Sequence, residues 1–426
     1  MRTGRRRRSN LPARDSRKPL FRQPPVPMRT VLFAAELGYG FGHVSRLIAV
    51  ADALEPLGYR PVFAVGDVCE TFPILGHRPW PVMQAPVSRA LPHLALNDAR
   101  YKVGRFSDIL YFVGYGNPDL LTPLLRAWDQ LFLAVKPDLI VCDFSPTVTL
   151  AARGSIPIVA IGDGFSQPPS TPAEFPTLRE EAESQVPQQA ILDVVRRVQK
   201  ARQRPEPEHL PSIVAGDREF VCILPEFDPY VRVSPGRTAG PLRQLPEMLP
   251  PPPPGREVFL YLSGSFEKLT EIGQGLADAQ ATGQAYIRNA SRRVTDAFDR
   301  VGIRVLSEVL PRDEFRAAVG RARCVIHHGG VGTSQDMLAL GRPQILAPTS
   351  FEQQLTADVL FRFRVGGRLR QGLTAEAVAN ALRSAFQDDD LAGRAQRAAE
   401  TVASQGRAPA MPDIIAACNA LSGIAA

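Results

Sequence analysis

The chain has 426 residues, enough for two domains of ordinary size, and 44% of them are hydrophobic against 22% charged, as in globular proteins. Its formal charge of +7 is concentrated in residues 1–27, which hold nine Arg or Lys residues and one Asp, so the rest of the chain is close to neutral. A nucleic-acid-binding face therefore has little electrostatic support. No apolar run reaches the roughly 18 residues of a transmembrane segment, which leaves only peripheral membrane contact open.

The five cysteines are scattered, at positions 69, 142, 222, 324 and 418. No CxxC pair or Cys/His cluster exists, so the sequence indicates neither a disulfide framework nor a metal site, and free thiols fit a reducing cytoplasm. Residues 1–27 are basic and contain prolines; we expect them to be disordered, unless translation begins at Met28. Because no apolar segment follows the arginines, we do not expect a secretion signal.

From Arg29 the pattern becomes that of a parallel α/β sheet. Residues 30–35 are an apolar strand, residues 38–42 a glycine-rich loop, and a helix with apolar residues at helical spacing follows. Residues 61–65 are the next strand, so the chain opens with a βαβ unit. The loop does not match the GxGxxG fingerprint of dinucleotide binding.

His43 lies where this glycine loop meets the helix. A helix N-terminus disfavours a protonated imidazole and so leaves a neutral ring that can accept a proton near neutral pH. The alternative is an ordinary helix-terminal or core histidine. A later strand, residues 136–143, ends in Asp143, which is either a functional acid or the N-cap of the next helix.

The middle of the N-terminal half is less regular. The aromatic stretch from Tyr101 to Tyr115 either lines a pocket above the sheet or belongs to the core, and core is favoured. Residues 156–161 and 220–224 are further strands, and a helix is predicted near residues 188–202.

A proline run, Pro250–Pro254, lies inside residues 246–256, and consecutive prolines adopt an extended, stiff conformation. We predict a linker here, between an N-terminal domain of residues 28–245 and a C-terminal domain of residues 257–407. Residues 408–426 contain a final Ala/Ile-rich helix.

The most informative stretch lies in the C-terminal half. A strand of residues 324–326 leads through His327 and His328 into a glycine turn, residues 329–332, and then into a helix with Thr333 as its predicted N-cap. Such a turn is a generic anion site, because free N–H groups and the helix dipole point at the ligand. Polar residues surround it at the carboxyl ends of parallel strands, where ligands bind: His328, Asp336, Glu352 and Gln353.

The order of residues 328–333, Asp336, Pro348 and then Glu352-Gln353 resembles the HxGxGT…E…PxxxDQ signature of the UDP-glycosyltransferase superfamily, above all its bacterial branch that glycosylates macrolides, other natural products and lipids. The resemblance implies a GT-B fold, in which two Rossmann-like parallel-sheet domains face each other across a cleft and the C-terminal one binds the nucleotide sugar. It also implies that the helix of residues 408–426 packs back on the N-terminal domain.

The resemblance implies a role for each residue of this motif. Asp336 stands where the family usually has Glu, and Glu352 where it often has Asp; both replacements keep the charge and change the reach of the side chain by one methylene group. Ser265 is the candidate phosphate contact after the first strand of this domain, with Ser263 as a competitor. The implied roles are diphosphate binding by Ser265, His328, Gly332 and Thr333, ribose binding by Asp336, base contact by Val309, and sugar binding by Glu352 and Gln353.

On the N-terminal side the resemblance rests on fewer residues. Many members have Gly-His-x-x-Pro in the first loop, with the histidine as the base that deprotonates the acceptor; here Gly42-His43 is kept and Arg46 replaces the proline. The segment that ends in Asp143 matches one whose aspartate hydrogen-bonds this histidine, fixing its tautomer and stabilising the imidazolium. The candidate catalytic residues are therefore His43 and Asp143.

The resulting prediction is an inverting glycosyltransferase that moves a hexose from a UDP- or TDP-sugar to a hydroxyl of a small-molecule or lipid acceptor, without metal ion or cofactor. Two alternatives remain within this fold: a non-catalytic sugar-nucleotide-binding accessory protein, and an epimerase or hydrolase that acts without an acceptor. Nucleic-acid binding through the arginine-rich residues 1–27 is the least favoured alternative.

Overall fold

The computed structural model of the chain describes residues 28–38, 41–88, 103–179, 186–231, 233–308, 310–369 and 372–423. The predictions of a disordered segment at residues 1–27 and of a base contact by Val309 lie outside these residues. In the described part, no helix combines the length and the apolar character that crossing a membrane requires.

The N-terminal half is a six-stranded sheet with helices on both faces. All its strands are parallel, in the order β3-β2-β1-β4-β5-β6. The strands are β1 (Arg29–Ala35), β2 (Tyr59–Val65), β3 (Val82–Gln84), β4 (Leu139–Cys142), β5 (Ile158–Gly162) and β6 (Arg218–Val221). The helices are α1 (Gly42–Leu54), α2 (Val68–Leu75), α3 (Phe106–Leu110), α4 (Pro118–Val135), α5 (Pro146–Ala152) and α6 (Gln188–Ala201).

The central strands β1 and β4 are apolar on both faces because both faces are covered. Alternate residues of β1 enter opposite cores: Leu32 packs with α4 and α6, whereas Val31 and Phe33 pack with α1. Each such side chain contributes about 1.5–3 kcal/mol when it leaves water. Phe106 and Tyr115 of the aromatic stretch are fully buried in the first of these cores, as predicted.

The C-terminal half repeats this architecture. Its strands are parallel, in the order β12-β11-β10-β7-β8-β9. They are β7 (Glu257–Ser263), β8 (Thr282–Arg288), β9 (Ile303–Leu306), β10 (Cys324–His327), β11 (Gln344–Leu346) and β12 (Gly366–Arg368). The helices are α7 (Leu269–Asp278), α8 (Arg292–Arg300), α9 (Arg312–Arg321), α10 (Val331–Ala339), α11 (Phe351–Arg362), α12 (Ala375–Gln387), α13 (Asp389–Ser404) and α14 (Met411–Ser422).

Two segments tie the halves together. Residues 246–256 form neither helix nor strand and lie against the C-terminal half, where the buried Arg342 donates a hydrogen bond to the carbonyl oxygen of Pro250 at 2.9 Å. The last helix, α14, crosses to the N-terminal half and packs Ile414 and Cys418 against α1 and its sheet. Its Asn419 accepts a hydrogen bond from the Tyr59 hydroxyl at 2.9 Å.

Candidate active site

His43 is the first buried side chain of α1, and its ring is held in a narrow space. The preceding loop passes Gly38 with a φ of +88°, a conformation that favours glycine, and a Cβ at this position would overlap the imidazole Cδ2. The Phe144 ring lies 5.4 Å from the imidazole, centre to centre. Glycine at position 38 is therefore needed for two reasons: it allows the backbone conformation of the turn, and it leaves space for the His43 ring.

Asp143 follows β4 directly and is fully buried, with its Oδ1 2.9 Å from His43 Nδ1. A carboxylate only accepts hydrogen bonds, so Nδ1 carries the proton and Nε2 is left as the proton acceptor. Burial, the largest single effect, would lower the pKa of His43, but the charge of Asp143 and its hydrogen bond to the ring together outweigh burial, and the pKa is raised above its ordinary value. The structure thus brings together the two predicted catalytic residues.

Two charged residues that we did not predict as site residues complete this side. Arg46, one turn after His43 on α1, donates from Nε to Asp143 Oδ2 at 2.6 Å and from Nη2 to Asp163 Oδ2 at 3.1 Å. Asp163 follows β5 and also accepts hydrogen bonds from the N–H groups of Phe165 and Ser166. Burial, the largest single effect, would raise the pKa of Asp163, but the charge of Arg46, the His43 ring and the hydrogen bonds from Ser166 and Glu352 together outweigh burial and lower the pKa to about 2. Asp163 is therefore ionised at neutral pH.

Glu352 reaches this cluster from the other side of the cleft. It lies in the first turn of α11, with Oε2 4.0 Å from His43 Nε2 and a carboxyl group hydrogen-bonded to that of Asp163. Burial and then the charge of Asp163 raise the pKa of Glu352 to about 8. The two carboxyl groups share one proton, because two carboxylates in contact cannot both ionise.

The glycine turn of the C-terminal half leads into α10 earlier than predicted. Gly329 has a φ of +89°, Gly330 is the N-cap, and the helix begins at Val331. Thr333 is therefore within the first turn, and its prediction as N-cap is wrong, because the extended backbone of Gly330 already enters the helix. No side chain caps this end, and the N–H groups of the first turn, Gly332 and Thr333 among them, have no partner within the helix.

The two histidines before this turn are bound to their own surroundings. His327 Nδ1 accepts a hydrogen bond from the Gly329 N–H at 3.0 Å, and its Nε2 lies 2.9 Å from Gln344 Oε1. His328 Nε2 accepts from the Ser263 N–H at 2.9 Å, and its Nδ1 donates to the carbonyl oxygen of Ala347 at 2.9 Å. Burial lowers the pKa of both rings, that of His327 to about 4.

His328 is thus a neutral bridge between the ends of β7, β10 and β11. Its predicted contact to a diphosphate stays a prediction, and forming it requires one of these two hydrogen bonds to be exchanged. Ser263 and Ser265 stand beside it, with their hydroxyl oxygens 2.9 Å apart. Arg288, at the end of β8, lies close enough to lower the pKa of His328 further, and it approaches Glu70 of the N-terminal half at 3.9 Å.

The remaining predicted donor residues have partners inside the protein. Asp336 pairs with Arg243, Nη2 to Oδ2 at 2.5 Å, and the Arg243 side chain is 64% exposed. Gln353 Oε1 accepts hydrogen bonds from the N–H and the hydroxyl of Thr349 at 2.8 and 2.9 Å. Asp336 lies on α10, which follows β10, and Gln353 lies on α11, which follows β11. Both residues therefore come after the carboxyl ends of strands, as His328 does.

The predicted residues thus form two groups that face each other, and Glu352 joins them. Arg46 and Asp163 were missed, although each had a signal. Arg46 replaces the proline of the Gly-His-x-x-Pro pattern, and Asp163 follows a buried strand as Asp143 does. Arg288 and Arg243 carried no signal that distinguishes them from surface arginines.

Comparison with known proteins shows what the chain is similar to. No protein-family model matches the chain. Over 98 residues it is 33% identical to the O-mycaminosyltylonolide 6-deoxyallosyltransferase of Streptomyces fradiae, a match that covers 22% of this chain and 23% of that protein. Over 201 residues it is 29% identical to a PGL/p-HBAD biosynthesis glycosyltransferase of Mycobacterium tuberculosis, covering 43% and 44%. The chain therefore spans less than half the length of these curated relatives.

Solved structures match over nearly the whole chain. The calicheamicin glycosyltransferase CalG4 superposes with a TM-score of 0.62 at 18% identity, covering 93% of this chain and 98% of that one. The spinosyn rhamnosyltransferase SpnG, complexed with thymidine diphosphate, gives 0.60 at 15% identity, covering 88% and 96%. The glycosyltransferase SnogD from Streptomyces nogalater gives 0.54 at 21% identity, covering 93% and 99%.

These matches confirm the predicted GT-B fold of two parallel-sheet domains and the resemblance to bacterial natural-product glycosyltransferases.

Proposed function

We propose that this chain is a glycosyltransferase that moves a hexose from a UDP- or TDP-sugar to a hydroxyl group of a small-molecule or lipid acceptor. The proposal includes inversion at the anomeric carbon and independence of metal ions and cofactors. Its support comes from the site geometry, from the glycosyltransferase names of the partial relatives and from the shared fold.

One observation carries the proposal: His43 Nε2 lies 4.0 Å from Glu352 Oε2. His43 is the predicted base of the N-terminal half, and Glu352 is the predicted sugar ligand of the C-terminal half. In a transfer reaction the base, the acceptor hydroxyl and the anomeric carbon must meet at one place. A residue predicted for the donor sugar stands where the free nitrogen of the base points.

The reaction that this geometry supports is a single displacement. Nε2 of His43 takes the proton of the acceptor hydroxyl while the hydroxyl oxygen attacks the anomeric carbon. The bond from that carbon to the diphosphate oxygen breaks, and the nucleoside diphosphate leaves with the electron pair. Asp143, bound to Nδ1, fixes the tautomer and stabilises the imidazolium that forms.

The leaving group would lie at the N-terminus of α10. The first-turn N–H groups of Gly332 and Thr333 have no helical partner, and the positive end of the helix dipole favours a diphosphate. Arg288 adds a positive charge at the end of β8. Developing negative charge would thus be stabilised by groups fixed before the reaction, which is the usual form of such stabilisation. Asp336 would bind the ribose.

Aromatic side chains support an apolar acceptor. Phe144 contacts the His43 ring, and Phe144 and Phe165 lie 5.7 Å apart, centre to centre. Phe165 in turn meets Phe351 of α11 at 5.9 Å, so the row crosses from one half to the other beside the base. SpnG, which shares this fold, has been solved with the spinosyn aglycone, a small molecule.

A product assay tests the proposal. The purified chain is incubated with UDP-glucose or TDP-glucose, with and without EDTA, and a panel of phenolic, macrolide and long-chain alcohol acceptors. Mass spectrometry should detect a hexosylated product from at least one acceptor, EDTA should not abolish it, and NMR of the anomeric proton should show inverted configuration. Nucleotide release without any acceptor would instead identify a hydrolase.

Binding of nucleotides without any turnover would identify the accessory protein. A thermal-shift series with UDP and TDP checks this, since a ligand at one hundred times its dissociation constant stabilises the folded chain by about 2.7 kcal/mol. Asp336→Ala should abolish the shift. A chain that neither binds nucleotides nor releases product contradicts the proposal.

A further inference from the structure

Arg46 is the least expected residue of the site. It follows His43 by three positions on α1, which places both side chains on the same face of the helix. Its side chain is 14% exposed, although an arginine is almost never buried unless it is paired. The pairs it makes lie at the ends of two different strands, so its position is defined from several sides.

The guanidinium connects the two buried carboxylates of the N-terminal half. Nε donates to Asp143 Oδ2 at 2.6 Å and Nη2 to Asp163 Oδ2 at 3.1 Å. The two oxygens of Asp143 therefore accept hydrogen bonds from different residues: Oδ2 from Arg46 and Oδ1 from His43 Nδ1. Ser166 donates its hydroxyl to Oδ1 as well, at 3.1 Å, so both oxygens of Asp143 are held. A carboxylate fixed at both oxygens holds the imidazole that it binds.

The same nitrogen of Arg46 lies 2.9 Å from His43 Nδ1. Because Nδ1 donates its proton to Asp143, it cannot accept a hydrogen bond from Nη2 of Arg46. Nη2 donates to Asp163 instead. The contact between guanidinium and imidazole is thus one of charge: a permanent cation is placed against the ring that is to take up a proton. Such a neighbour disfavours the imidazolium.

The balance of charges around His43 depends on this cation. The groups that face the ring are Arg46 on its own helix, Asp143 after β4, Asp163 after β5 and Glu352 on α11. Glu352 holds the proton that it shares with Asp163, so one cation and two anions surround the imidazole. Without the guanidinium the ring would face two uncompensated carboxylates and would be protonated before any substrate arrives.

We propose that Arg46 is a positioning residue of the catalytic centre, which holds Asp143 and Asp163 in place and offsets their charge, and so favours the neutral, proton-accepting form of His43. This inference rests on the proposed function for its meaning in catalysis. The protonation state of His43 itself does not depend on that function, and it is measured without any substrate.

Histidine NMR provides the test. The chain has six histidines, so 13C-labelled histidine gives six ring signals, and His43→Gln identifies the one of His43. The pH titration of this signal is compared among the wild-type chain, Arg46→Met and Arg46→Lys. We expect the pKa of His43 to rise by at least about one unit in Arg46→Met, because a charge in direct contact is removed. Arg46→Lys, which keeps the charge, should restore most of the difference.

The same comparison is made in a second parent variant, in case Arg46→Met does not fold in the wild-type chain. Asp163→Asn removes one carboxylate and leaves Arg46 and Asp143 as a one-to-one pair, and adding Arg46→Met in this background should again raise the pKa of His43. A pKa of His43 that is unchanged or lower without Arg46, in either background, would overturn the proposal. Failure of the transfer assay alone would overturn the proposed function and leave this result standing.

The pH profile of transfer separates charge from mere scaffolding. In Arg46→Met the acid limb of kcat/KM should move to higher pH together with the NMR titration, and in Arg46→Lys it should return. A merely structural Arg46 would lower the rate at every pH without moving the limb. That outcome would also overturn the proposal.

Discussion

On the N-terminal side of the cleft, three buried ionisable side chains (His43, Asp143 and Asp163) contact one largely buried guanidinium, that of Arg46. On the C-terminal side, the predicted diphosphate site consists of the backbone N–H groups of Gly332 and Thr333, the Ser265 hydroxyl and His328, whose ring is bound to the protein itself. The first arrangement depends on the chemistry of each side chain, and the second mainly on the path of the backbone.

This difference follows from what each side has to do. A base must change its protonation state during the reaction, so its surroundings have to be charged and finely balanced. A diphosphate keeps its charge and needs only fixed donors, which a helix N-terminus supplies without titratable groups. We therefore expect substitutions of charged side chains to lower the free energy of unfolding more at the first site than at the second.

The largest expected effect is that of His43→Ala on the rate of transfer. Loss of a general base costs about two to four decades in rate, whereas the thermal shift by UDP or TDP should be unchanged because the proposed nucleotide site lies on the other side. His77→Ala, at an exposed position of the same half, is the control and should keep the wild-type rate. If His43→Ala transfers sugar at the wild-type rate, His43 is not the base.

Asp143→Asn tests the same contrast in stability. Asp143 pairs with Arg46 in the interior, and removing one partner of a buried ion pair costs about 3–5 kcal/mol because the remaining charge is left uncompensated. Asp163 still pairs with Arg46, so we expect the lower end of this range. Chemical denaturation monitored by circular dichroism measures the free energy of unfolding.

The matched variant on the other side of the cleft is Asp336→Asn. Its partner Arg243 is largely exposed, and such pairs contribute within about 1 kcal/mol after solvent screening. Equal losses of unfolding free energy in Asp143→Asn and Asp336→Asn would show that the two sides do not differ in the way described above.

The carboxyl pair that joins the two sides gives a dependence on pH. The pKa of Glu352 is about 8 in the folded chain, against an ordinary value of 4.5, so the folded state holds a proton that the unfolded state releases between these values. This contribution to stability is complete below pH 4.5 and is lost as the pH rises through 8. The ionised Asp163, whose pKa is lowered to about 2, contributes stability that is present above pH 3.8 and is lost only in strong acid.

Glu352→Gln should therefore gain stability relative to the wild type as the pH rises from 6 to 8. The amide can donate to Asp163 without a titrating proton, and one proton corresponds to at most about 1.4 kcal/mol per pH unit. Denaturation of both chains at several pH values measures the difference, with Glu314→Gln on the exposed face of α9 as the control. A difference that stays constant from pH 6 to 8 would contradict the shared proton.

The fold and the C-terminal site were predictable because their signals are local. Strand, turn and helix of residues 324–339 are consecutive, so the order of apolar residues and glycines is enough to place them. The error at Thr333 concerns the start of the helix. The sequence alone does not show after which glycine the helix begins, and the structure shows that Gly330 is the N-cap. The strands β3 and β12 were missed because they have only three residues each, none of them buried.

The N-terminal cluster was predictable only in part because its members meet through tertiary contacts. Asp143 and Asp163 each follow a strand, but that Arg46 lies between them depends on the angle between α1 and the sheet. Glu352 was assigned to the sugar from its motif. That its carboxyl group also contacts Asp163 depends on how the two halves face each other, which no local pattern encodes.

The smallest expected effect is that of Arg243→Met, and it bears on the choice between UDP and TDP. Arg243 holds Oδ2 of Asp336, so one oxygen of the proposed ribose ligand is already occupied.

Thymidine diphosphate has a deoxyribose with one free hydroxyl, whereas the ribose of UDP presents two adjacent ones that fit both oxygens of a carboxylate. We therefore expect the pair with Arg243 to favour TDP, and its removal to improve binding of UDP relative to TDP by up to about fivefold, as one extra hydrogen bond of about 1 kcal/mol allows. Titration calorimetry of wild type and Arg243→Met with both nucleotides measures the ratio, at low salt because the exposed pair is screened. A ratio that does not change would mean that Arg243 leaves the carboxylate when the nucleotide binds, and the C-terminal site would then owe its selectivity to the backbone and the base pocket alone.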